Sequence, residues 1–400
     1  HLSIRRQRQM CIRDRYNCRT TSKASIDRIL MNDFQRRHPM QIAKMRATPA
    51  KVMKIDFHYK VAKKIKVFTG KGESFTPFKC AVTIQNEDAM TIYFRFLQAS
   101  ESMEAIMPDL RRLKQRQTIL ETETKAFYVD NCCSVRGKLK SEWPDALVLL
   151  DSFHWMVRWD DIMCDKTSEN TTIFRTLMRR ALFFVENAEL ERAKRILIQR
   201  KKEPTTKAIY KEAKATIPTP EFLERRVMAV IHALMGKDTE SDLRRTTADG
   251  VDGDVASEGR FFKRGAETLN TIVNQLEHVK KGCLSDPHMS VVELHRFNKT
   301  TLKTCSARGS SSIEVDNRWV LNALNTPSVG LTRAERIIWD YYEASNDRKK
   351  IKRLGAVGEC ATRAEQLQML HALATKAGFE EADLEVKPPD YPRDLDANWV

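Results

Sequence analysis

The residues of this 400-residue chain best placed to do chemistry are carboxylates that close apolar runs. Asp56 follows Lys51–Ile55 (KVMKI), Asp130 follows Lys125–Val129 (KAFYV), and Asp151 follows Ala146–Leu150 (ALVLL). In a mixed α/β sheet, groups just beyond the carboxyl ends of strands share a crevice, and functional side chains collect there. Hard carboxylate oxygens held rigidly in such a place suit Mg2+ or Mn2+. Two such ions ~3.5–4 Å apart activate an attacking oxygen and stabilise a leaving one in phosphodiester cleavage. A lone Asp after a strand more often starts a turn or caps a helix. Asp56 and Asp130 together, on strands placed first and fourth, make the stronger case, with Asp151 competing for the second position.

The elements that must hold these acids are readable from periodicity. After the strand ending at Ile55, Val61–Phe68 extends or pairs with it. Phe78–Ile84 (FKCAVTI) and Met90–Leu97 (MTIYFRFL) are rich in β-branched and aromatic residues and form a hairpin. Met103, Ile106, Met107, Leu110 and Leu113 then recur at helical spacing, with Ser100 or Ser102 as cap and Pro108 as a possible kink. The strand at Lys125–Val129, a helical connector and the strand at Ala146–Leu150 complete the series. The last is apolar throughout, as expected of a strand covered on both faces. Three strands, a helix, a strand, a connector and a strand give an α/β fold with a mixed sheet in the ribonuclease H-like arrangement.

Beyond Trp159 the strand signals stop. Helices are expected at Phe174–Asn187, Ala188–Glu203, Pro220–Met235, Phe261–Lys281, Ser311–Leu324 and Thr332–Ser345, with a Gly/Asp/Thr-rich loop at Gly236–Gly259 and a tail helix near Arg363–Ala377. A basic lead-in helix is expected at Thr20–Met45. The domain plan is a basic N-terminal region at 1–50, the first part of the catalytic core at 51–158, an all-α insertion at 159–306, a return to the core at 307–346 and a tail at 347–400. The first 15 residues lack apolar periodicity and read as foreign to the fold.

Composition narrows the partner. The chain is 42% hydrophobic and 30% charged, as in soluble globular proteins, with no apolar run near a membrane span and no cleavable leader. Of the net +16, His1–Lys66 carries 18 Lys and Arg against 4 Asp, so the positive charge is concentrated at one end. Such an arm fits either a polyanion, nucleic acid above all, or a solvated tail. Nine cysteines without a CxxC pair exclude a secreted disulfide framework and a ribbon-type zinc site, and imply a reducing intracellular compartment.

The segments IDFHYKVAKKIKV, FTPFKCAVTIQNED and FYVDNCCSVRGKLKSEWPDALVLLDSFHWMVR resemble the catalytic core of eukaryotic cut-and-paste DDE transposases. The likeness is greatest to the Kyakuja–Dileera–Zisupton group, and the hAT and Mutator-like groups share the plan. It spans Lys51–Arg158 well and Ala307–Asn346 weakly. It implies that Asp56 and Asp130 are the first two catalytic acids. The third would lie on a helix beyond the helical block, where ARGSSSIEVDNRWVLNAL supplies Glu314, with Asp316 and Glu293 as alternatives. Ser311 stands three residues before Glu314, so a capping box competes with that role.

The resemblance further implies two Mg2+ or Mn2+ ions on Asp56, Asp130 and Glu314, DNA as partner, a possible homo-oligomer and a nuclear location. LLDSFHWMVR matches the family's LD-x-x-H segment, which casts Asp151 and His154 as supporting residues and Arg158 as a contact to the nucleic-acid backbone. Lys60, Lys63, Lys64, Arg308 and Ser311 are the other candidate nucleic-acid contacts, Ser311 because free N–H groups at a helix start favour phosphate. A domesticated or decayed copy that binds without cutting is the alternative. It is kept open by the absence of a readable end-recognition module ahead of Asp56. A cellular ribonuclease H-type nuclease fits the two aspartates but not the long insertion.

Other features read as structural. Cys132 and Cys133 with His154 make part of a metal set, but spacing places no fourth ligand. Cys283, His288 and His295 are too irregular for zinc. The acids of DGVDGD, Asp249–Asp254, fall off the calcium-loop positions. Trp155, Trp159 and Trp319 fit the core better than base stacking.

Overall fold

The computed structural model describes residues 23–69, 72–99, 101–249, 260–286, 293–298, 303–325 and 328–354. The first 15 residues, His288, most of the DGVDGD segment and the tail helix expected at 363–377 lie outside the described residues. The chain is a mixed α/β protein. Its elements begin with α1 (Lys23–Arg46), β1 (Val52–His58), α2 (Tyr59–Ala62), β2 (Val67–Phe68), β3 (Ser74–Phe75), β4 (Cys80–Gln85) and β5 (Thr91–Leu97). α3 (Met103–Ile119), β6 (Ala126–Val129), α4 (Cys132–Glu142), β7 (Leu147–Leu150) and α5 (Ser152–Arg158) follow. Then come α6 (Glu169–Leu182), α7 (Asn187–Gln199), α8 (Thr206–Glu212), α9 (Pro220–Asp249) and α10 (Ala266–Lys280). A ribbon of β8 (His295–Asn298) and β9 (Lys303–Ser306) precedes α11 (Ser311–Leu324) and α12 (Leu331–Leu354).

Five strands form one sheet in the order β5-β4-β1-β6-β7. The β5/β4 and β4/β1 pairs are antiparallel, while β1/β6 and β6/β7 are parallel. Strand alternation sorts the side chains onto two faces. Met53, Ile55, Val82, Ile84, Phe127, Val129, Val148 and Leu150 share a core with α3, α4, α5, α6, α9 and α10. On the opposite face, Ala81, Phe94 and Phe96 pack against α1, α2, α11 and α12. Also on that face, Val52, Ala126, Tyr128 and Leu149 lie under Leu294. Both faces are therefore covered, which explains the unbroken apolar runs in the sequence.

Local sequence accounts for the supporting helices. α3 buries the five residues its periodicity singles out, and Ser102 caps it by accepting from the Ala105 amide at 3.3 Å. Pro108 sits inside it without ending it. α1 belongs to the folded body: Phe34, Ile42 and Met45 are buried with Ile338, Trp339 and Tyr342 of α12. Arg37 and Lys44 pair with Asp340 and Glu343 at 3.0 and 2.7 Å. Part of the basic lead-in is thus spent on docking that helix.

Four expectations need correction. Val61–Phe68 is not one strand but the end of α2 followed by β2, which pairs with β3. The segment expected as a loop from Gly236 continues α9 to Asp249. A helical glycine costs about 1 kcal/mol against alanine, and tertiary contacts offset it here. Val227, Ile231 and Leu234 are buried, and the carboxylate of Asp238 accepts from the Phe261 and Phe262 amides at 2.8 and 3.0 Å. The helix expected from Phe261 starts only at Ala266 because Phe262 instead bridges to Met163. Finally, the 159–306 block is not wholly helical, since β8 and β9 pair as an antiparallel ribbon within it.

Candidate metal centre

The register of the parallel strands brings the acids together. Lys54 lies opposite Tyr128, and Tyr128 opposite Leu149. Two residues further on, the same face of the three strands presents Asp56, Asp130 and Asp151 in a row. Asp56 is not beyond its strand, as the sequence implied, but within β1, paired with Thr83 of β4. It still faces the crevice because its parallel neighbour β6 has ended at Val129.

His154 is the hub. It lies one turn into α5, which Asp151 starts by accepting from the Phe153 amide at 2.9 Å. Its Nδ1 lies 3.0 Å from Asp130 Oδ2. With Asp130 ionised its oxygen only accepts, so that contact then places the ring proton on Nδ1. Nε2 then faces Asp56 Oδ1 and Glu314 Oε1, each at 3.7 Å, and Asp151 Oδ2 at 3.8 Å. These separations are too long for hydrogen bonds and leave three acidic oxygens converging on one point. The ligand atoms of Asp56, His154 and Glu314 lie within 4.8 Å of one another, as do those of Asp130, Asp151 and His154.

Glu314 is carried in by α11, whose start is clasped to the sheet. Ser310, the residue before the helix, donates both its amide, at 3.0 Å, and its hydroxyl to Asp151 Oδ2. The hydroxyl is therefore not used to cap α11. The capping-box alternative for Glu314 is not realised, because the helix starts at Ser311 and the Glu314 side chain turns to His154. Gly309 has a φ of +70°, and a Cβ there would stand 2.9 Å from Asp151 Oδ1, so only glycine lets the chain pass so close. The two alternatives to Glu314 lie elsewhere. Asp316 is buried and accepts from Gln85, Lys349 and Tyr341 at 2.7, 2.6 and 3.0 Å. Glu293 is exposed and belongs to none of these groups.

The electrostatics are those of acids crowded together. Burial, followed by repulsion from Asp130, Glu314, Asp151 and Glu101, pushes Asp56 up to about 9. Burial, then Asp151 and Glu101, raises Asp130 to about 7, although Arg158 opposes the shift. Asp56 Oδ1, Asp130 Oδ1 and His154 Nε2 are buried without a hydrogen-bond partner. Buried polar atoms are ordinarily satisfied, so this oxygen-rich group with one imidazole fits a divalent cation. Asp56, His154 and Glu314 form one group that could hold it, and Asp130, Asp151 and His154 form another.

Three residues near the acids were not singled out from sequence. Asn317, one turn after Glu314, donates to Asp56 Oδ2 at 3.3 Å; the i, i+3 spacing on an acid-bearing helix was the available signal. Lys54 lies on the same strand face as Asp56, and burial lowers it to about 8, with Asp151 and Glu87 opposing. Glu101 is exposed, held by Tyr59 Oη at 3.1 Å, and adds negative charge at the rim.

The candidate nucleic-acid contacts divide. Lys60, Lys63 and Ser311 are exposed, while half-buried Lys64 donates to the Leu321 carbonyl at 3.1 Å. Arg308 is not available to phosphate. It is buried in an ion pair with Asp286 and donates to the Ala215 carbonyl at 2.9 Å. Arg158 also turns inward, to the Asp130 carbonyl and to Asn131 Oδ1 at 3.1 Å. Trp155 and Trp159 are core residues, but Trp319 is 58% exposed on α11, contrary to expectation. No family model matches the chain, and no curated protein matches it.

Proposed function

We propose that the chain is the catalytic core of a DDE-type transposase, a metal-dependent enzyme that cuts DNA at element ends and joins the freed 3′ hydroxyl to target DNA. The observation that carries this reading is the meeting of Glu314 with Asp56 around the imidazole that Asp130 holds, since these residues come from well-separated parts of the chain. The sheet order, antiparallel through β5, β4 and β1 and then parallel through β6 and β7, supports a ribonuclease H-like core. In this reading the stretch between β7 and α11, helical apart from the β8/β9 ribbon, takes the place of that family's helical insertion.

In this reading Asp56, Asp130 and Glu314 hold two Mg2+ or Mn2+ ions. When bound, such ions supply charge stabilisation and an activated oxygen nucleophile. The protein's own contribution is positional. Asp151 and Ser310 fix α11 so that Glu314 reaches the strand acids, Asn317 orients Asp56, and His154 orients Asp130. Lys60, Lys63 and Ser311 lie exposed to contact the backbone of DNA, the proposed partner. Among the described residues no helix is long and apolar enough to cross a membrane. A nuclear location and a homo-oligomeric assembly belong to the same proposal.

The test is incubation of the protein with labelled DNA carrying candidate terminal repeats, with Mg2+ or Mn2+, beside an Asp130→Asn variant. Metal-dependent nicking that the variant loses is the expected result. Binding without cleavage under either metal would instead assign the chain to a non-cutting, domesticated role.

A further inference from the structure

Cys132 and Cys133 do not join His154. They start α4, immediately after the turn that carries Asp130, and close on two residues from the end of the helical block. These are His278, in the last turn of α10, and Cys283, just beyond it. We propose that Cys132, Cys133, His278 and Cys283 bind one zinc ion in a closed, structural site that pins the end of α10 to the β6–α4 turn.

The distances are those of ligands around a single small ion. Cys133 Sγ lies 3.6 Å from Cys283 Sγ and 3.8 Å from Cys132 Sγ. His278 Nδ1 lies 3.5 Å from Cys133 Sγ and 3.9 Å from Cys132 Sγ. A tetrahedral zinc with Zn–S near 2.3 Å and Zn–N near 2.0–2.1 Å requires S···S of ~3.8 Å and S···N of ~3.6 Å. All four ligand atoms fall within 4.8 Å of one another. Three soft thiolates and an imidazole in tetrahedral array select zinc over the hard cations that suit the carboxylate centre. Four protein ligands leave no open position, so the ion would be structural.

The surroundings fit that charge. Cys132 and Cys283 are buried, and Arg136 donates to Cys283 Sγ at 3.2 Å, offsetting the excess negative charge of three thiolates. Arg136 also donates to the Val148 carbonyl, and the Cys283 carbonyl accepts from the Leu150 amide at 2.7 Å, so the site is tied to β7. Binding is a simple exchange: each cysteine gives its thiol proton to solvent as its sulfur takes the ion, with no change of oxidation state. Coordination through His278 Nδ1 leaves the ring proton on Nε2. The long 3.4 Å contact of Arg158 with that atom then loosens, while Arg158 keeps Asp130 and Asn131.

The consequence is local and specific. The ion would hold the turn after β6 and therefore the position of Asp130, while remaining outside the acidic group. It would also join α10 to the sheet across a long stretch of intervening chain, the arrangement in which a metal clip restricts the unfolded chain most.

The test measures metal in the full chain purified without chelator, by mass spectrometry of the elements. One zinc ion per chain is expected in the wild type and in Asp130→Asn, with loss in Cys283→Ser and in Cys133→Ser/Cys283→Ser. Cobalt exchanged into the wild type should give intense tetrahedral visible bands and thiolate-to-cobalt charge transfer. That charge transfer falls by about a third in Cys133→Ser, as one of three thiolates is removed. The cobalt spectrum decides the matter even if a variant does not fold. Zinc retained in the double variant, a weak octahedral cobalt spectrum, or a Cys133–Cys283 disulfide in the intact protein would each overturn the proposal. Loss of DNA cleavage in Asp130→Asn with zinc retained separates this site from the catalytic reading.

Discussion

On one side of the turn that joins β6 to α4, Asp130 looks into a group of carboxylates around one imidazole. On the other, Cys132 and Cys133 close on His278 and Cys283. The two clusters are nearly adjacent in sequence and opposite in construction. The first is made of hard oxygens that repel one another, with Glu314 partly open to solvent and three buried atoms left without partners. The second is made of soft sulfurs at the mutual distances one tetrahedral ion requires, with an arginine to offset their charge. A site that must admit substrate and exchange ligands keeps open positions, whereas a site that only holds helices together closes all four. On the two proposals made above, the contrast separates chemistry from scaffolding along a single turn of chain.

The sharpest way to break that contrast is Asp56→Asn. Metal-dependent cleavage should fall by about 10³-fold or more, since charge stabilisation by bound ions is worth several kcal/mol and each 1.4 kcal/mol is tenfold. Without metal, the same change should leave the fold as stable as the wild type or more so, because it removes one of several mutually repelling acids. Thermal unfolding beside a cleavage assay reads both effects. A variant that cuts normally, or one that unfolds in the absence of metal while the wild type does not, would remove Asp56 from the role given to it.

Solution pH sharpens the same point. Asp56 is raised to about 9 and Asp130 to about 7, mainly by burial, from an unfolded value near 3.8. The folded state therefore holds protons that the unfolded chain has released. The stability this contributes is complete below about pH 4 and is lost as pH rises through 7 and then 9. Melting temperature of the metal-free protein should fall across that range. Saturating Mg2+ or Mn2+ should flatten the slope, as should Asp56→Asn. An equal slope with and without metal would mean that the acids are not the cation's ligands.

Much of this was legible in sequence, for reasons particular residues make plain. Asp130 and Asp151 follow apolar runs, and parallel strands covered on both faces write such runs directly. Glu314 came only through a resemblance. The competing capping box is excluded only in the fold, where Ser310, not Ser311, precedes the helix with its hydroxyl turned to Asp151. Arg308 read as a free cation because its partner Asp286 is distant in sequence and meets it only in the fold. The cysteine cluster stayed hidden for the same reason. Cys132 and Cys133 pointed to His154 nearby in the chain, and nothing in the spacing leads from them to His278.

The clasp between α11 and the sheet can be tested at Gly309. A non-glycine residue at positive φ costs about 1–2 kcal/mol, and the Cβ of Gly309→Ala would also press on Asp151 Oδ1. A loss of about 1–3 kcal/mol in denaturant unfolding is expected, with cleavage reduced because Glu314 is displaced, and zinc content unchanged. Reduced zinc would show that the two clusters are coupled through the sheet and are not independent.

The smallest expected effect tests whether the carboxylate centre is an open surface at all. Trp319 and Val315 stand on α11 one turn apart, 58% and 55% exposed, and Phe153 flanks His154 with its ring at 5.3 Å. Exposed side chains carry little of the fold, so Trp319→Ala should shift stability by no more than about 0.5 kcal/mol. Base stacking on an aromatic ring is worth about 1–3 kcal/mol, which predicts single-stranded DNA binding weakened by about five- to 150-fold. The deficit should persist at raised salt, since stacking releases no counterions, whereas Lys60→Ala should weaken binding less as salt increases. Unchanged affinity in Trp319→Ala would leave that apolar face to some other partner and confine DNA to the basic side chains.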